Sequence, residues 1–257
     1  MQDFLKANFH THTTRCQHAI DSEQEYIEAA IEMGIKRLGF SDHIPCPFSD
    51  GYVSNIRMKM EQAPEYVQTI RRLADEYKSQ IEILVGFEAE YIPEFFEAQR
   101  RMCKELDVDY MIMGQHFLRS EAKGPYSGTN TDDESRIREY VDSVIEGMKT
   151  GMYAYLAHPD LINYKGMDSV YDWEMTRLCK DLKKLNIPLE INLLGIAEGK
   201  HYPQERFWKI PGEIGNEVIL GLDAHCAAQM KNVDSYNKAM DIVNRYNLNL
   251  IEDIRLN

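Results

Sequence analysis

The stretch Ile81-Glu82-Ile83-Leu84-Val85-Gly86-Phe87-Glu88 decides how the chain reads. Its apolar run predicts a short buried strand over Ile81–Phe87, and the run closes on a carboxylate. Burying a carboxylate after so apolar a strand is costly unless it is paired, and a metal ion is the natural partner. Working outward, similar short apolar runs occur at Leu5–Phe9, Arg37–Phe40, Tyr110–Met113, Tyr153–Ala157, Pro188–Ile191, Val218–Leu222 and, weakly, Leu248–Glu252. Helical patterns separate them. Ser22-Glu23-Gln24-Glu25 reads as a capping box opening a helix that buries Tyr26, Ile27, Ala30 and Ile31 and stops at Gly34. Pro93 suits the first turn of a helix through Leu106, another starts at Thr131-Asp132-Asp133-Glu134 and runs to Gly151, and a last one covers Val233–Tyr246. Strand-helix alternation predicts an α/β fold with a parallel sheet, open or closed into a barrel. A length of 257 residues suits one domain spanning 1–257.

Composition narrows the partners. The formal net charge of -13 repels nucleic-acid backbones and anionic membranes. A small phosphorylated substrate stays compatible with it, because bound divalent cations dominate the local field. No apolar run approaches the ~18 residues of a membrane span. Met1-Gln2-Asp3-Phe4 is not a basic segment leading into an apolar one, so a cytoplasmic location is expected. The five cysteines (Cys16, Cys46, Cys103, Cys179, Cys226) are odd in number, widely spaced and without a CxxC, which reads as reduced thiols.

The histidines carry the chemistry. His10, His43, His116, His158 and His225 fall at or just past the C-terminal ends of predicted strands, as do Asp42, Glu88, Asn192 and Asp223, and His12 follows His10 by two. In a parallel barrel those strand ends converge on one face, so residues far apart in sequence meet in one cleft. His10-Thr11-His12 puts two imidazoles on one side of an extended chain, roughly 6.5–7 Å apart, and Asp223-Ala224-His225 repeats the spacing. A donor set of His, Asp and Glu suits Zn, Mn or Fe at a hydrolytic site better than a structural cysteine site. Cys16, between His12 and His18, reads as a neighbour, and His201 as a surface residue.

Taken in order, His10-Thr11-His12-Thr13 with His18, Ser41-Asp42-His43, Gly86-Phe87-Glu88, Gly114-Gln115-His116, His158-Pro159-Asp160 and Asp223-Ala224-His225 resemble the PHP (polymerase and histidinol phosphatase) family. The resemblance implies a distorted (β/α)7 barrel with the site at the C-terminal strand ends and the Leu248–Glu252 run peripheral. It implies two or three divalent metal ions. His10, His12, Glu88 and Asp223 would hold one, Glu88 would bridge to a second held by His116 and His158, and His18, His43 and His225 would hold a third. Thr13-Thr14-Arg15-Cys16-Gln17-His18, Gly86–Ile92 and Gln115-His116-Phe117-Leu118-Arg119 are most similar to the histidinol-phosphatase branch, which implies hydrolysis of L-histidinol phosphate late in histidine biosynthesis.

Phosphate monoester hydrolysis needs an activated water, charge neutralisation and a stabilised leaving group. Asp223 or His225 is expected to orient the nucleophile, and Asp42 or a metal-bound water to protonate the leaving alkoxide; Asp42, next to a ligand, is expected to support the ligands or to act in acid-base chemistry rather than to ligate. Arginine matches phosphate geometry, and Arg119, Arg57 and Arg15 are the candidate clamps in that order. Phe117 and Tyr91 are candidates to pack on an imidazole, Glu90 to meet an ammonium, and the Phe48–Met60 loop to act as a lid. Two rivals remain: a phosphoesterase of the same family acting on nucleotides or oligonucleotide ends, and a non-catalytic metal-binding domain. The sequence leaves the oligomeric state open.

Overall fold

A computed structural model describes residues 4–49 and 51–256. The strands among them are β1 (Ala7–Asn8), β2 (Arg37–His43), β3 (Glu82–Ala89), β4 (Tyr110–Met113), β5 (Leu189–Asn192), β6 (Glu217–Gly221) and β7 (Asn249–Leu250). Every pairing between them is parallel. They form two runs, β1-β2-β3-β4 and β5-β6-β7.

The runs are joined by residues 153–157, the segment expected as a strand. It is too irregular to be one, yet it hydrogen-bonds on both sides. Ala154 and Ala157 N–H donate to Met111 and Met113 O of β4 (2.7 and 2.8 Å), and Leu156 N–H donates to Pro188 O before β5 (3.0 Å). On the far side Thr11 bridges Ala224, and His12 N–H donates to Ala224 O at 2.9 Å. The ring therefore has seven staves: β1 to β4, the 153–157 segment, β5 and β6. β7 pairs with the first residues of β6, Glu217 and Val218, and lies outside the ring, as the weak Leu248–Glu252 run implied. The fold is a distorted (β/α)7 barrel.

Alternation along the strands sorts the core. Phe9, Leu84, Tyr110, Ile112, Tyr155 and Ile219 come from around the ring and meet inside it. Their strand neighbours Leu38, Phe40, Ile83, Val85, Leu189, Ile191, Val218 and Leu220 face outward into a larger core beneath the helices. Tyr110 lays its ring across β2 and β3, where Gly39 and Gly86 leave room; a Cβ at either would collide with it. Its hydroxyl donates to Phe9 O at 2.8 Å. Aromatic and aliphatic groups thus plug the lower barrel, and the polar residues crowd the upper end.

α1 (Glu23–Met33) opens on the Ser22 box, with Ser22 N–H on Glu25 Oε2 (2.7 Å), and ends at Gly34 with φ 79°. Then come α2 (Ala63–Tyr77), α3 (Pro93–Glu105), α4 (Glu134–Lys149), α5 (Asp168–Lys184), α6 (Leu193–Ala197), α7 (Glu205–Ile214) and α8 (Val233–Arg245). Four helices, α1, α3, α4 and α8, lie where helices are expected. Among the described residues no helix is long and apolar enough to cross a membrane. β2 and β3 run past their expected ends, Phe40 and Phe87. β2 continues past Phe40 because Ser41, Asp42 and His43 stay in register with Gly86, Phe87 and Glu88 of β3. That register sets His43 directly beside Glu88.

Candidate metal centre

At the upper end of the barrel a single buried carboxylate meets five imidazoles. Glu88 Oε1 lies 2.9 Å from His158 Nε2, 3.4 Å from His116 Nε2 and 3.5 Å from His10 Nε2. Its Oε2 lies 3.1 Å from His43 Nδ1 and 3.6 Å from His12 Nε2. Asp223 Oδ1 faces His12 Nε2 (3.1 Å), His10 Nε2 (3.4 Å) and His225 Nδ1 (3.5 Å). Residue 114 must be glycine, because a Cβ there would strike Glu88 Oε1.

Backbone geometry aims these groups. His158 (φ 29°) and Asp223 (φ 51°) occupy the left-handed region, which costs about 1–3 kcal/mol for such residues. The first breaks the alternation at the end of the 153–157 segment; the second follows β6. Both side chains end up on the Glu88 cage.

Charge inside the cage is uneven. Burial alone would raise the carboxyls of Glu88 and Asp223. The histidines around them outweigh burial and hold both well below the carboxylate range: His116, His10 and His43 act on Glu88, and His10, His12 and His225 on Asp223. Burial opposes charge on His10 and His12 as well, yet the neighbouring carboxylates lift His10 well above its ordinary value and His12 to about 9. Burial wins at His43, which falls well below, and at His225, which falls to about 3. Positive charge is therefore favoured beside Glu88 and Asp223, while His43 and His225 stay neutral donors of lone pairs.

Metal ions fit these residues. His10 Nε2, both nitrogens of His12, Glu88 Oε2, His158 Nδ1 and His225 Nε2 are buried with no partner in hydrogen-bond geometry, and such atoms are rare in folded proteins unless something else satisfies them. Ligand atoms of His10, His12 and Glu88 lie within 4.8 Å of one another, as do those of His10, His158 and Asp223, of His43, Glu88 and His116, and of His18, His43 and His225. The atoms of His12, Cys16 and His225 do the same, and burial pushes the Cys16 thiol up to about 12.

A layer behind the cage orients it. Glu190, buried on β5, places Oε2 2.8 Å from His10 Nδ1, and Asn192 Nδ2 donates to Glu190 Oε1 (2.8 Å) and Asp223 Oδ2 (3.1 Å). Asn192 shows in the sequence as a polar strand end; Glu190, one residue inside the strand, does not. Asp42 belongs to this layer too. It is fully buried, takes the Thr13 hydroxyl and His43 N–H (2.7 Å), and lies 3.6 Å from His12 Nδ1. It does not line the cleft, which favours its reading as a support behind the ligands over that of general acid.

The cleft over the cage has a volume of about 410 Å³. His18, His43, His116, His158, Asp223 and His225 line its floor, and Ile56, Phe117, Tyr126, Leu194 and Tyr202 its walls. Phe117 lines the cleft against Tyr126; Tyr91 instead packs in the core against Phe96. The expected arginine clamp is not assembled. Arg119 is 69% exposed with Glu139 at 3.3 Å, Arg15 is held by Glu23 and by Glu65 at 3.0 Å, and Arg57 is buried against Glu90 and Glu121. Each guanidinium is paired with a carboxylate of the protein. Glu90, enclosed by Arg57 and His116, is likewise not offered to a ligand's ammonium. The charged pair on the cleft wall is Glu198 and Lys200, 3.0 Å apart, in a loop whose sequence gave no pattern. His201 beside them is half-buried, its Nε2 on Leu161 O at 2.7 Å, not a plain surface residue.

A parallel barrel with a histidine–carboxylate cage at its C-terminal strand ends is a metal-binding α/β barrel. Within that class the chain belongs to the PHP domain family, whose model matches residues 8–193. It is 28% identical over 229 residues to a "probable histidinol-phosphatase" of Deinococcus radiodurans, covering 84% of this chain and 85% of that one. A protein of the same name from Schizosaccharomyces pombe is 27% identical over 246 residues, covering 84% and 79%. The fold is similar to the crystal structure of Lactococcus lactis histidinol phosphate phosphatase complexed with zinc, L-histidinol and phosphate, with a TM-score of 0.73, 18% identity and coverage of 97% and 98%.

Proposed function

We propose that the chain is a metal-dependent phosphomonoesterase that hydrolyses L-histidinol phosphate to L-histidinol and phosphate, with residues 1–257 acting as one catalytic domain. The observation that carries this reading is Glu88 set among five histidine nitrogens beneath an open cleft. The family and the names of its relatives support the substrate.

His10, His12, Glu88 and Asp223, then His116 and His158, then His18, His43 and His225 would hold two or three divalent ions, of zinc, manganese or iron. Such ions activate water and neutralise phosphoryl charge. The chain's own residues do the rest. Glu190 accepts from His10 Nδ1 and so turns its Nε2 to the cage, while the Asp42 carboxyl stands 3.6 Å from His12 Nδ1 without a hydrogen bond to it. Asp223 and His225, at the cleft floor, orient the attacking water. Lys200 attracts the phosphate to the cleft, and Glu198 suits the ammonium of the substrate. Phe117, Tyr126 and Tyr202 form the wall against an imidazole ring.

Steady-state kinetics on L-histidinol phosphate, set against nucleoside monophosphates and a broad monoester panel, tests the proposal. The expected result is a kcat/KM for histidinol phosphate at least about 100-fold above the nucleotides, a gap of roughly 2.7 kcal/mol in transition-state binding. Equal or better turnover of nucleotides would reassign the substrate. No turnover of any monoester by fully metal-loaded protein would leave a non-catalytic metal-binding domain.

A further inference from the structure

Arg57 has an environment unlike a substrate clamp. It is 1% exposed, and four of its hydrogen bonds are made within the protein. Its Nη1 and Nη2 fork onto Glu90 Oε2 and Oε1, both at 3.1 Å, its Nε donates to Glu121 Oε2 at 2.8 Å, and Nη1 also reaches Ile44 O at 3.1 Å. Glu90 Oε1 in turn lies 3.2 Å from His116 Nδ1, and the other nitrogen of that ring faces Glu88. Glu121 gathers the loop carrying Arg57: it accepts from Tyr52 Oη (2.8 Å) and Ser54 Oγ (2.9 Å). Gln17 Nε2 ties the same loop to the His18 turn through Ser54 O (3.1 Å) and Arg57 O (2.9 Å). Ile56, inside this loop, lines the cleft.

One guanidinium therefore bridges two buried carboxylates, one that orients a cage histidine and one that anchors a cleft-wall loop. A rigid bidentate fork is what lets a single side chain fix both at once. We infer that Arg57 is a positioning residue, which holds Glu90 on His116 Nδ1 so that Nε2 faces the cage, and couples the Tyr52–Arg57 loop to that histidine. The inference rests on the metal-centre reading above. Outer partners of this kind are worth about 10–100-fold in metal affinity or activity.

The test compares wild type with Arg57→Lys, which keeps the charge and loses the fork, Arg57→Ala, and Glu90→Gln. Zinc is titrated into each apoprotein by calorimetry, kcat and KM are measured on L-histidinol phosphate, and apoprotein Tm serves as the folding control. Arg57→Lys is expected to retain an apoprotein Tm near wild type, to weaken the zinc equivalent that involves His116 by about 10–100-fold, and to lower kcat with KM changed less than about twofold. The effects of Arg57→Lys and Glu90→Gln should be non-additive, since both act through one imidazole. A large rise in KM and in the inhibition constant of inorganic phosphate, with zinc binding intact, would make Arg57 a phosphate clamp and overturn the inference. Unchanged zinc affinity and kcat in the Lys variant would overturn it as well. A wild-type protein that takes up no zinc at all would instead defeat the metal-centre reading, so the two failures are separable.

Discussion

At the scale of single residues, function follows from which charges border the cleft. Lys200 and Glu198 are partnered with each other, yet both border the cleft, and substrate would exchange that surface pair for two of its own. Lys200→Ala should raise KM for L-histidinol phosphate by roughly tenfold, the worth of one ~1.4 kcal/mol contact, with little change in kcat; initial-rate kinetics decides it. Asp160 gives a pH test of stability. Burial raises its carboxyl from 3.8 to about 7, although Gln204 N–H donates to it. A group whose folded value is raised contributes its stability below the unfolded value and loses it as pH climbs through the folded one. The Tm of Asp160→Asn minus that of wild type should therefore grow between about pH 4 and pH 7 and then level off. Thermal melts across that range check this, and a flat difference would contradict it.

At the scale of elements, the barrel depends on close approaches that only glycine permits. Gly86→Ala would drive a Cβ into the buried ring of Tyr110 and part β3 from β4, for a cost of about 1–3 kcal/mol, read as a lower urea midpoint at constant m. The strands were legible because each is a short apolar run between helical patterns, and the cage was legible because its members end those runs. His10, Glu88, His116, His158 and Asp223 needed no more than that placement. Strand ends were less visible: β2 reaches His43 through pairing with β3, a tertiary fact that Ser41 and Asp42 do not announce. The 153–157 stave is apolar enough to read as a strand, but its bonds to β4 and β5 are too few to regularise it. The arginines were illegible for a different reason. Arg57 meets Glu90 and Glu121 only after three loops have folded over one another, and nothing in the spacing of 57, 90 and 121 encodes it. Glu190 was hidden inside a strand that reads as apolar, where alternation turns it into the barrel.

At the scale of the whole molecule, seven staves gather donors from positions 10 to 225 around Glu88, so metal and fold stabilise one another. Ions that bind the folded chain and not the unfolded one raise its stability by mass action, about 2.7 kcal/mol at 100 times Kd. Chelation should lower Tm by several degrees, and re-addition of zinc or manganese should restore it; a melt unmoved by chelator would count against a cage that shares its ligands between staves. The centre itself is tested most directly by the metal content of wild type and Glu88→Ala purified side by side and measured by inductively coupled plasma mass spectrometry, with turnover of L-histidinol phosphate on the same samples. Wild type should carry two or three ions per chain, and the variant should lose at least one together with nearly all activity. A Glu88→Ala protein with undiminished metal and wild-type rates would contradict the bridging carboxylate on which the site is built.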